Sequence, residues 1–308
     1  MSSGVVHVLG NLNLDIILGP VASWPQLGTE TILPYQTVRV GGAAGNAIRS
    51  LSALGIPMRV HATVGNDEFG EILASGLGAC VSELKRVDLN TAYTVGISHP
   101  DGERTFFTYL GHLQRFDPDP VFEALVDEPD GYLLVCGYFL LPEFRNGIAE
   151  ELLKFAKKQG HTILFDSGWP TESWCDDTRE ELRRLLPLID VVLPNELEAK
   201  QWADTDDVEV ALRYFEENRS CGVVKLGEKG ACWLDAGRLA ICPSRSITVV
   251  DSVGAGDAFN AGYIAGLLHG LDQEHAISVA VEVAGLAIAS NPREYPDWAM
   301  ATSRLQLS

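Results

Sequence analysis

Short apolar runs punctuate the chain at 5–9, 60–64, 132–136, 162–165, 191–193 and 222–226. Each is β-branched or aromatic, and none alternates strictly between apolar and polar positions, which is the pattern of strands covered on both faces. Helical spacing fills the intervals. Ala47, Ile48, Leu51 and Leu54 share one helical face before Gly55 and Pro57. Ile148, Leu152, Leu153 and Phe155 do the same before Gly160, and Phe259, Tyr263, Ile264, Leu267 and Leu268 before Gly270. Strand–helix alternation with short connections predicts a three-layer α/β/α fold with a mostly parallel central sheet. Two stretches break the rhythm. Residues 14–40 hold Ile16 and Ile17, a Pro/Gly-punctuated stretch and a strand-like run at 31–40. Residues 91–111 read as a hairpin, with strands at 94–98 and 104–110 around Pro100, Asp101 and Gly102. In its second strand, alternation separates Phe107 and Tyr109 from Phe106, Thr108 and Leu110. The chain is thus expected to divide into a core of residues 1–13, 41–90 and 112–308 and a small β-sheet lid of 14–40 and 91–111. Such a lid can close over a site and exclude water. Residues 303–308 read as a frayed end.

Composition narrows the function. The 308 residues are 46% hydrophobic, ample for a large core. Lys plus Arg number 23 and Asp plus Glu 42, a net charge of −19. That surface repels phosphate backbones and anionic lipid, so nucleic-acid and membrane binding are disfavoured. The apolar runs are strand length, far short of the roughly 20 residues of a membrane span. No basic stretch followed by an apolar one opens the chain, so a soluble cytoplasmic protein is expected. The six cysteines show no C-x-x-C pair and read as small buried hydrophobes.

The most informative segment runs from Asp251 through Ser252, Val253, Gly254, Ala255, Gly256 and Asp257 to Phe259. Two glycines and an alanine stand where an amphipathic helix begins. Unpaired N–H groups and the helix dipole make such a place an anion site, and glycine lets the anion approach closely. Asp257, in the first turn, would place a carboxylate beside that anion. No Walker-type G-x-x-x-x-G-K-[ST] occurs, Phe259 stands where a dinucleotide fingerprint wants glycine, and H-E-x-x-H and G-x-S-x-G are absent.

This segment resembles the C-terminal signature of the ribokinase-like (PfkB) family of carbohydrate and nucleoside kinases, with Ser252 where threonine is usual. Four further motifs resemble the family's in the same order. They are Gly10 to Asp15 at the end of the first strand; Gly41, Gly42, Ala43, Ala44, Gly45, Asn46 and Ala47; Asn195 with Glu198, like N-x-x-E; and Val224 to Gly230, like its nucleotide-binding strand and turn. The match spans essentially the whole chain.

The resemblance implies an ATP- and Mg²⁺-dependent kinase. Asn13, Asp15, Gly41, Gly42 and Asn46 would hold the acceptor, with Phe107 of the hairpin covering it. Asn195, Lys225, Gly227 and Gly230 would bind nucleotide, and Glu198 with Asn195 would organise Mg²⁺ through water. Lys225 stands where Thr or Ser is common, and its direction is open. The backbone of Gly254, Ala255 and Gly256 would form the anion hole, and Asp257 would take the acceptor's proton. With an ordinary pKa of about 3.9, Asp257 would be a weak base. Many relatives bind a monovalent cation through the residue matching Asp251 and a later glycine-bearing loop; here that loop, Ser290 to Glu294, lacks glycine. Val281 would meet the adenine with apolar contact. Residues 11–15 carry no basic side chain, which points to an unphosphorylated sugar or sugar acid. A nucleoside is the alternative acceptor, and a catalytically silent nucleotide- or sugar-binding regulator the alternative class. The lid would also offer a surface for a homodimer.

Overall fold

The computed structural model describes residues 4–81, 84–100, 104–290 and 293–305. The expected turn residues Asp101 and Gly102, and Asn291, Pro292 and 306–308, lie outside them. Strands β1 (Val6–Gly10), β4 (Met58–His61), β9 (Tyr132–Cys136), β10 (Thr162–Asp166), β11 (Val191–Val192) and β12 (Cys221–Lys225) run parallel through the central sheet. An antiparallel pair, β13 (Ala231–Asp235) and β14 (Arg238–Cys242), extends one edge, giving the order β14-β13-β12-β11-β10-β9-β1-β4.

The unbroken apolar runs follow from burial on both faces. Val6, Val8, Leu134, Cys136 and Leu164 point into a layer with helices α1 (Gly42–Ala53), α2 (Glu68–Leu77), α8 (Ala255–Leu268), α9 (Gln273–Ala287) and α10 (Trp298–Thr302). Their neighbours Leu9, Leu133, Val135, Ile163 and Phe165 point into the other. That layer holds α3 (Asp119–Asp127), α4 (Ala149–Lys158), α5 (Asp176–Leu185), α6 (Glu196–Trp202) and α7 (Val208–Glu217). Such two-sided coverage suits a parallel sheet.

A separate four-stranded sheet, β3-β2-β7-β8, gathers β2 (Asn13–Gly19), β3 (Tyr35–Gly41), β7 (Tyr93–Ser98) and β8 (Arg104–Tyr109). The expected hairpin is β7 and β8, with Tyr93 opposite Tyr109 and Ser98 opposite Arg104. A short pair, β5 (Thr63–Gly65) and β6 (Lys85–Val87), completes the strands.

Some expectations are corrected. The run at 60–64 is two strands broken at Ala62, and the one at 31–40 pairs only from Tyr35. The antiparallel pair β13–β14 is not among the expected runs, although both strands are largely apolar and Leu239 and Ile241 of β14 lie at the surface. All six cysteines are free; Cys136 and Cys232 are buried, but Cys175 is exposed at the start of α5. Among the described residues no helix is long and apolar enough to cross a membrane.

Candidate active site

The carboxyl ends of the parallel strands open on one side of the sheet, where α/β proteins place their ligand crevice. Asn11 and Asn13 follow β1, Gly137 follows β9, Asp166 ends β10 and Lys225 ends β12. The amino ends of α1 and α8 face this crevice, and the lid rises from its rim.

The floor nearest the lid is a relay of buried amides. Asn11 Nδ2 donates to Asn13 Oδ1 at 2.9 Å, and Asn13 Nδ2 donates to Asp15 Oδ1 at 2.9 Å and to Thr94 Oγ1 at 3.3 Å. Each acceptor fixes the orientation of the amide before it. Burial pushes the Asp15 carboxyl up to about 6, against the pull of Arg39. A Cβ on Gly41 would overlap the Asp15 carboxyl. Gly42, at φ +77°, passes so close that a Cβ would sit 2.6 Å from Asn13 Oδ1. Asn11 also accepts from the first amides of α1, Ala43 N at its side chain (3.2 Å) and Ala44 N at its carbonyl (3.1 Å). It thus satisfies donors that a helix start leaves orphaned.

Helix α1 presents Asn46 to α8. Asn46 Nδ2 donates to Asp257 Oδ2 at 2.9 Å, and Tyr295 Oη donates to Asn46 Oδ1 at 3.2 Å. Burial first, and then the nearby Asp166 carboxylate, raise the Asp257 carboxyl to about 7, with Asn46, Lys225 and Arg293 opposing. This corrects the expectation of an ordinary, weakly basic aspartate. Gly254 turns the chain at φ +77°, and Ala258 N to Gly254 O (3.0 Å) opens the helical bonding. Gly256 N and Asp257 N precede that bond and face no protein acceptor among the described residues, whereas Ala255 N is engaged by Ser252 O at 3.2 Å. Of the three residues expected to line the anion hole, Ala255 therefore has its amide tied into a turn.

Beneath α8 lies a buried charge cluster. Lys225 points inward: its Nζ donates to Asp166 Oδ2 (2.7 Å) and Asn260 Oδ1 (3.2 Å), and a Cβ on Gly256 would lie 3.3 Å from it. Asn260 Nδ2 also donates to Asp166 Oδ2, at 2.7 Å. Burial works to lower the Lys225 ammonium, but Asp166 and Glu198 outweigh it and hold it above the ordinary lysine range. Asn195 and Glu198 form a reciprocal capping box on α6, each side chain accepting from the other's backbone N–H at 2.9 Å. Asn195 pairs with Lys225 as an isolated parallel bridge, which brings two distant motifs side by side. Burial, then Asp166, raise Glu198 to about 7. Gly227, at φ +62°, starts the turn after β12, and Gly230 closes it against Cys242 O.

Glu198 commits Oε2 to the cap and keeps Oε1, the oxygen through which a hydrated magnesium ion would be held, while Asp166 Oδ2 is engaged by Lys225 and Asn260. Among the described residues no group of three His, Cys, Asp or Glu is arranged to ligate a metal directly. A monovalent cation does not fit at Asp251. The Asp251 carboxylate bonds Arg39 Nη1, Arg104 Nη2 (2.9 Å) and Arg293 Nη2 (3.2 Å), and its carbonyl accepts from Arg293 Nη2 at 2.9 Å. The oxygens a cation would use are already held by guanidinium.

Phe107 is turned the other way from the expectation. Thr94 Oγ1 and Thr108 Oγ1 lie 3.0 Å apart on the face of the lid that carries Asn13 and Asp15, and Arg104 shares that face. Strand alternation puts Phe106 with them and Phe107 behind, packed edge-on against Trp24 at 6.1 Å between ring centroids. Arg293, Thr94 and Tyr295 join the site without a sequence signal of their own, whereas Asp166 and Arg39 are legible as polar residues at strand ends.

A family model described as pfkB family carbohydrate kinase matches residues 6–294. The chain is 25% identical to the uncharacterized sugar kinase YegV of Escherichia coli K12, over 92% of this chain and 88% of that one. It is 29% identical to the 1-phosphofructokinase of the same organism, over 86% and 85%. Its fold matches the structure of Arabidopsis thaliana ribokinase complexed with ribose and ATP, with a TM-score of 0.82, 22% identity and 99% of both chains covered. The fold is therefore ribokinase-like, and with a carboxylate set between amide side chains and a helix start at the strand ends, the chain belongs to the pfkB family of carbohydrate kinases.

Proposed function

We propose that the protein transfers the γ-phosphoryl group of ATP to a hydroxyl of a small unphosphorylated sugar or sugar acid. One observation carries this reading: Asn46 Nδ2 donates to the Asp257 carboxylate in the first turn of α8, beside amides that no protein acceptor engages among the described residues. Asn13, Asp15 and Asn46 would read vicinal hydroxyls, with Gly41 and Gly42 letting the acceptor lie against the backbone. Asp257 would take the hydroxyl proton as the acceptor oxygen forms its bond to phosphorus and the bond from that phosphorus to the departing ADP oxygen breaks. The proton ends on Asp257, whose pKa of about 7 suits a base at neutral pH. The N–H groups of Gly256 and Asp257, with Gly254 giving access, would stabilise the transferring phosphoryl, and Lys225 would add charge from below. Gly227 and Gly230 would shape the nucleotide's seat, with Asn195 at its edge. Glu198 would hold magnesium through water, and the bound ion would neutralise charge on the phosphates.

Within the acceptor class, acids are favoured. Arg39 Nε and Nη2 and Arg104 Nε are buried without hydrogen-bond partners on the lid, and a carboxylate on the acceptor would satisfy them, as would a phosphate, which the sugar-phosphate arm of the test examines. A nucleoside is the second reading, favoured by the half-exposed Phe106 ring on the same face. Trp24, Leu27, Ile32 and Phe107 leave the outer lid segments apolar and exposed, which supports pairing of two copies; a monomer by light scattering would remove that part.

The test is ATP consumption across free sugars, sugar acids, sugar phosphates and nucleosides. Turnover is expected on sugars or sugar acids, with Asp257→Asn lowering kcat by about 10²–10⁴-fold while calorimetric nucleotide affinity is kept. Best turnover on sugar phosphates would overturn the acceptor, and a near-fully active Asp257→Asn would overturn the base. Nucleotide binding with no turnover on any class would favour a silent regulator.

A further inference from the structure

Three guanidinium groups converge on one carboxylate at the mouth of the anion hole. Arg39 comes from β3 and Arg104 from β8, while Arg293 comes from the chain after α9; all three bond Asp251. Arg104 Nη1 also donates to Ser252 Oγ at 3.2 Å, and Val253 N donates to Asp251 Oδ1 at 3.1 Å. Asp15 also faces Arg39 and Arg293, and Asp257 faces Arg293, so the guanidiniums hold together a network of carboxylates centred on Asp251. Burial alone would raise the Asp251 carboxyl, but Arg39 and Arg293 hold it below the ordinary range.

Arg293 is the most deeply placed of the three, 8% exposed, with its Nε buried and unpartnered. Its Nη2 binds both the main-chain carbonyl and the side chain of Asp251. Its other terminal nitrogen reaches the helix start: a Cβ on Gly254 would lie 2.7 Å from Arg293 Nη1 and 2.7 Å from Asn46 Nδ2. The guanidinium therefore touches the loop that forms the anion hole on one side and nears the amide that holds Asp257 on the other. Charge buried at such a place is worth far more than at the surface, because little solvent screens it.

We infer that the Arg293 guanidinium is the resident cation of this site, fixing the Asp251–Gly254 loop and supplying the positive charge that a bound monovalent ion would otherwise provide, so that the enzyme is indifferent to potassium. This rests on the kinase reading for its kinetic readouts but not for its binding ones. Arg293 acts as a positioning residue, through Asp251 and the loop.

The experiment compares potassium with tetramethylammonium at equal ionic strength. In the wild-type protein, melting temperature, calorimetric ATP affinity and any kinase rate should be the same in both, and potassium titration should give no binding heat. Arg293→Ala should lose about tenfold or more in kcat, regain part of it with added guanidinium, and acquire a potassium-dependent melting temperature. Arg293→Lys should keep more activity than Arg293→Ala. A wild-type protein that binds potassium, or gains tenfold in rate from it, overturns the inference. So does an Arg293→Ala variant with the wild-type rate, or one whose loss neither guanidinium nor potassium repairs. If Arg293→Ala does not fold, the wild-type titration and Arg293→Lys decide. If no acceptor is turned over, the melting and ATP-affinity readouts still answer, separating this inference from the choice of activity.

Discussion

Asp257 shows how much of a residue's chemistry comes from neighbours far along the chain. Its position at a glycine-rich helix start is local and legible. Its basicity is not, because Asp166 lies 91 positions away and burial is a property of the assembled crevice. An aspartate raised to about 7 is the deprotonated base only above that pH, so kcat/KM should climb through an acid limb near pH 7. Replacing Asp166 with asparagine removes the negative charge that helps raise it, and the limb should move to lower pH. A pH–rate profile for both proteins checks this; because Asp166 raises Glu198 as well, Glu198→Gln assigns a limb that moves, and an unmoved limb would belong to a group that Asp166 does not raise. Lys225 is a second case. Its direction was open in the sequence, and the ends of β10 and β12, on either side of β11, turned it toward Asp166 beneath the anion hole rather than outward.

Among the elements, the hairpin is the instructive one. Its two strands and the alternation of Phe106 with Phe107 follow from the sequence, since side chains on a strand point to opposite faces with a period of two. Which face meets the crevice depends on the partner strand. The Thr94–Thr108 contact and the Arg104–Asp251 pair settle it in favour of Phe106. Phe106→Ala should therefore raise the acceptor KM severalfold with kcat less affected, while Phe107→Ala should leave both near wild type. Steady-state kinetics on the two variants distinguish them, and the opposite ranking would mean that the lid turns its other face in solution. The capping box on α6 carries the same lesson. The spacing of Asn195 and Glu198 predicts proximity, but only the structure shows Asn195 Oδ1 and one Glu198 oxygen, Oε2, already committed to backbone donors.

At the scale of the molecule, two contacts join distant regions. The lid is tied to the core through Arg39 and Arg104 at Asp251, so the same carboxylate links lid position to the anion-hole loop. On the outer strands of the sheet, His7 Nδ1 lies 3.0 Å from His61 Nε2, the two rings stacked and His161 edge-on to His7 at 5.1 Å. Burial lowers His7 to about 4, aided by His161, and lowers His61 to about 3, aided by His7. An unfolded chain titrates these groups near 6.5, so it binds more protons than the native state below that pH, and their contribution to stability is lost as pH falls from 6.5 toward 4. Asp15, Glu198 and Asp257, with raised values, act in the opposite sense, favouring the native state as pH falls below 7. The two effects oppose each other, so the histidines are read by difference. Relative to wild type, His7→Leu should melt more favourably at pH 5 than at pH 7, and an equal offset at both would show that His7 carries no buried titration.

The strands, the helices, the glycine-rich helix starts and the order of the family's motifs were determined by the sequence alone, because steric preference and hydrophobic period act between near neighbours. The antiparallel edge pair is apolar as well, but its place at the sheet edge follows from pairing with β12, which no local pattern encodes. Only the tertiary structure decided the basicity of Asp257, the inward turn of Lys225, the face of the lid and the arginine cage at Asp251. The pairs that set them are far apart in the chain, 211 positions for Asn46 and Asp257 and 212 for Arg39 and Asp251. Desolvation and Coulomb interaction depend on distance in space, and no local pattern encodes that distance until the sheet has brought its strand ends together.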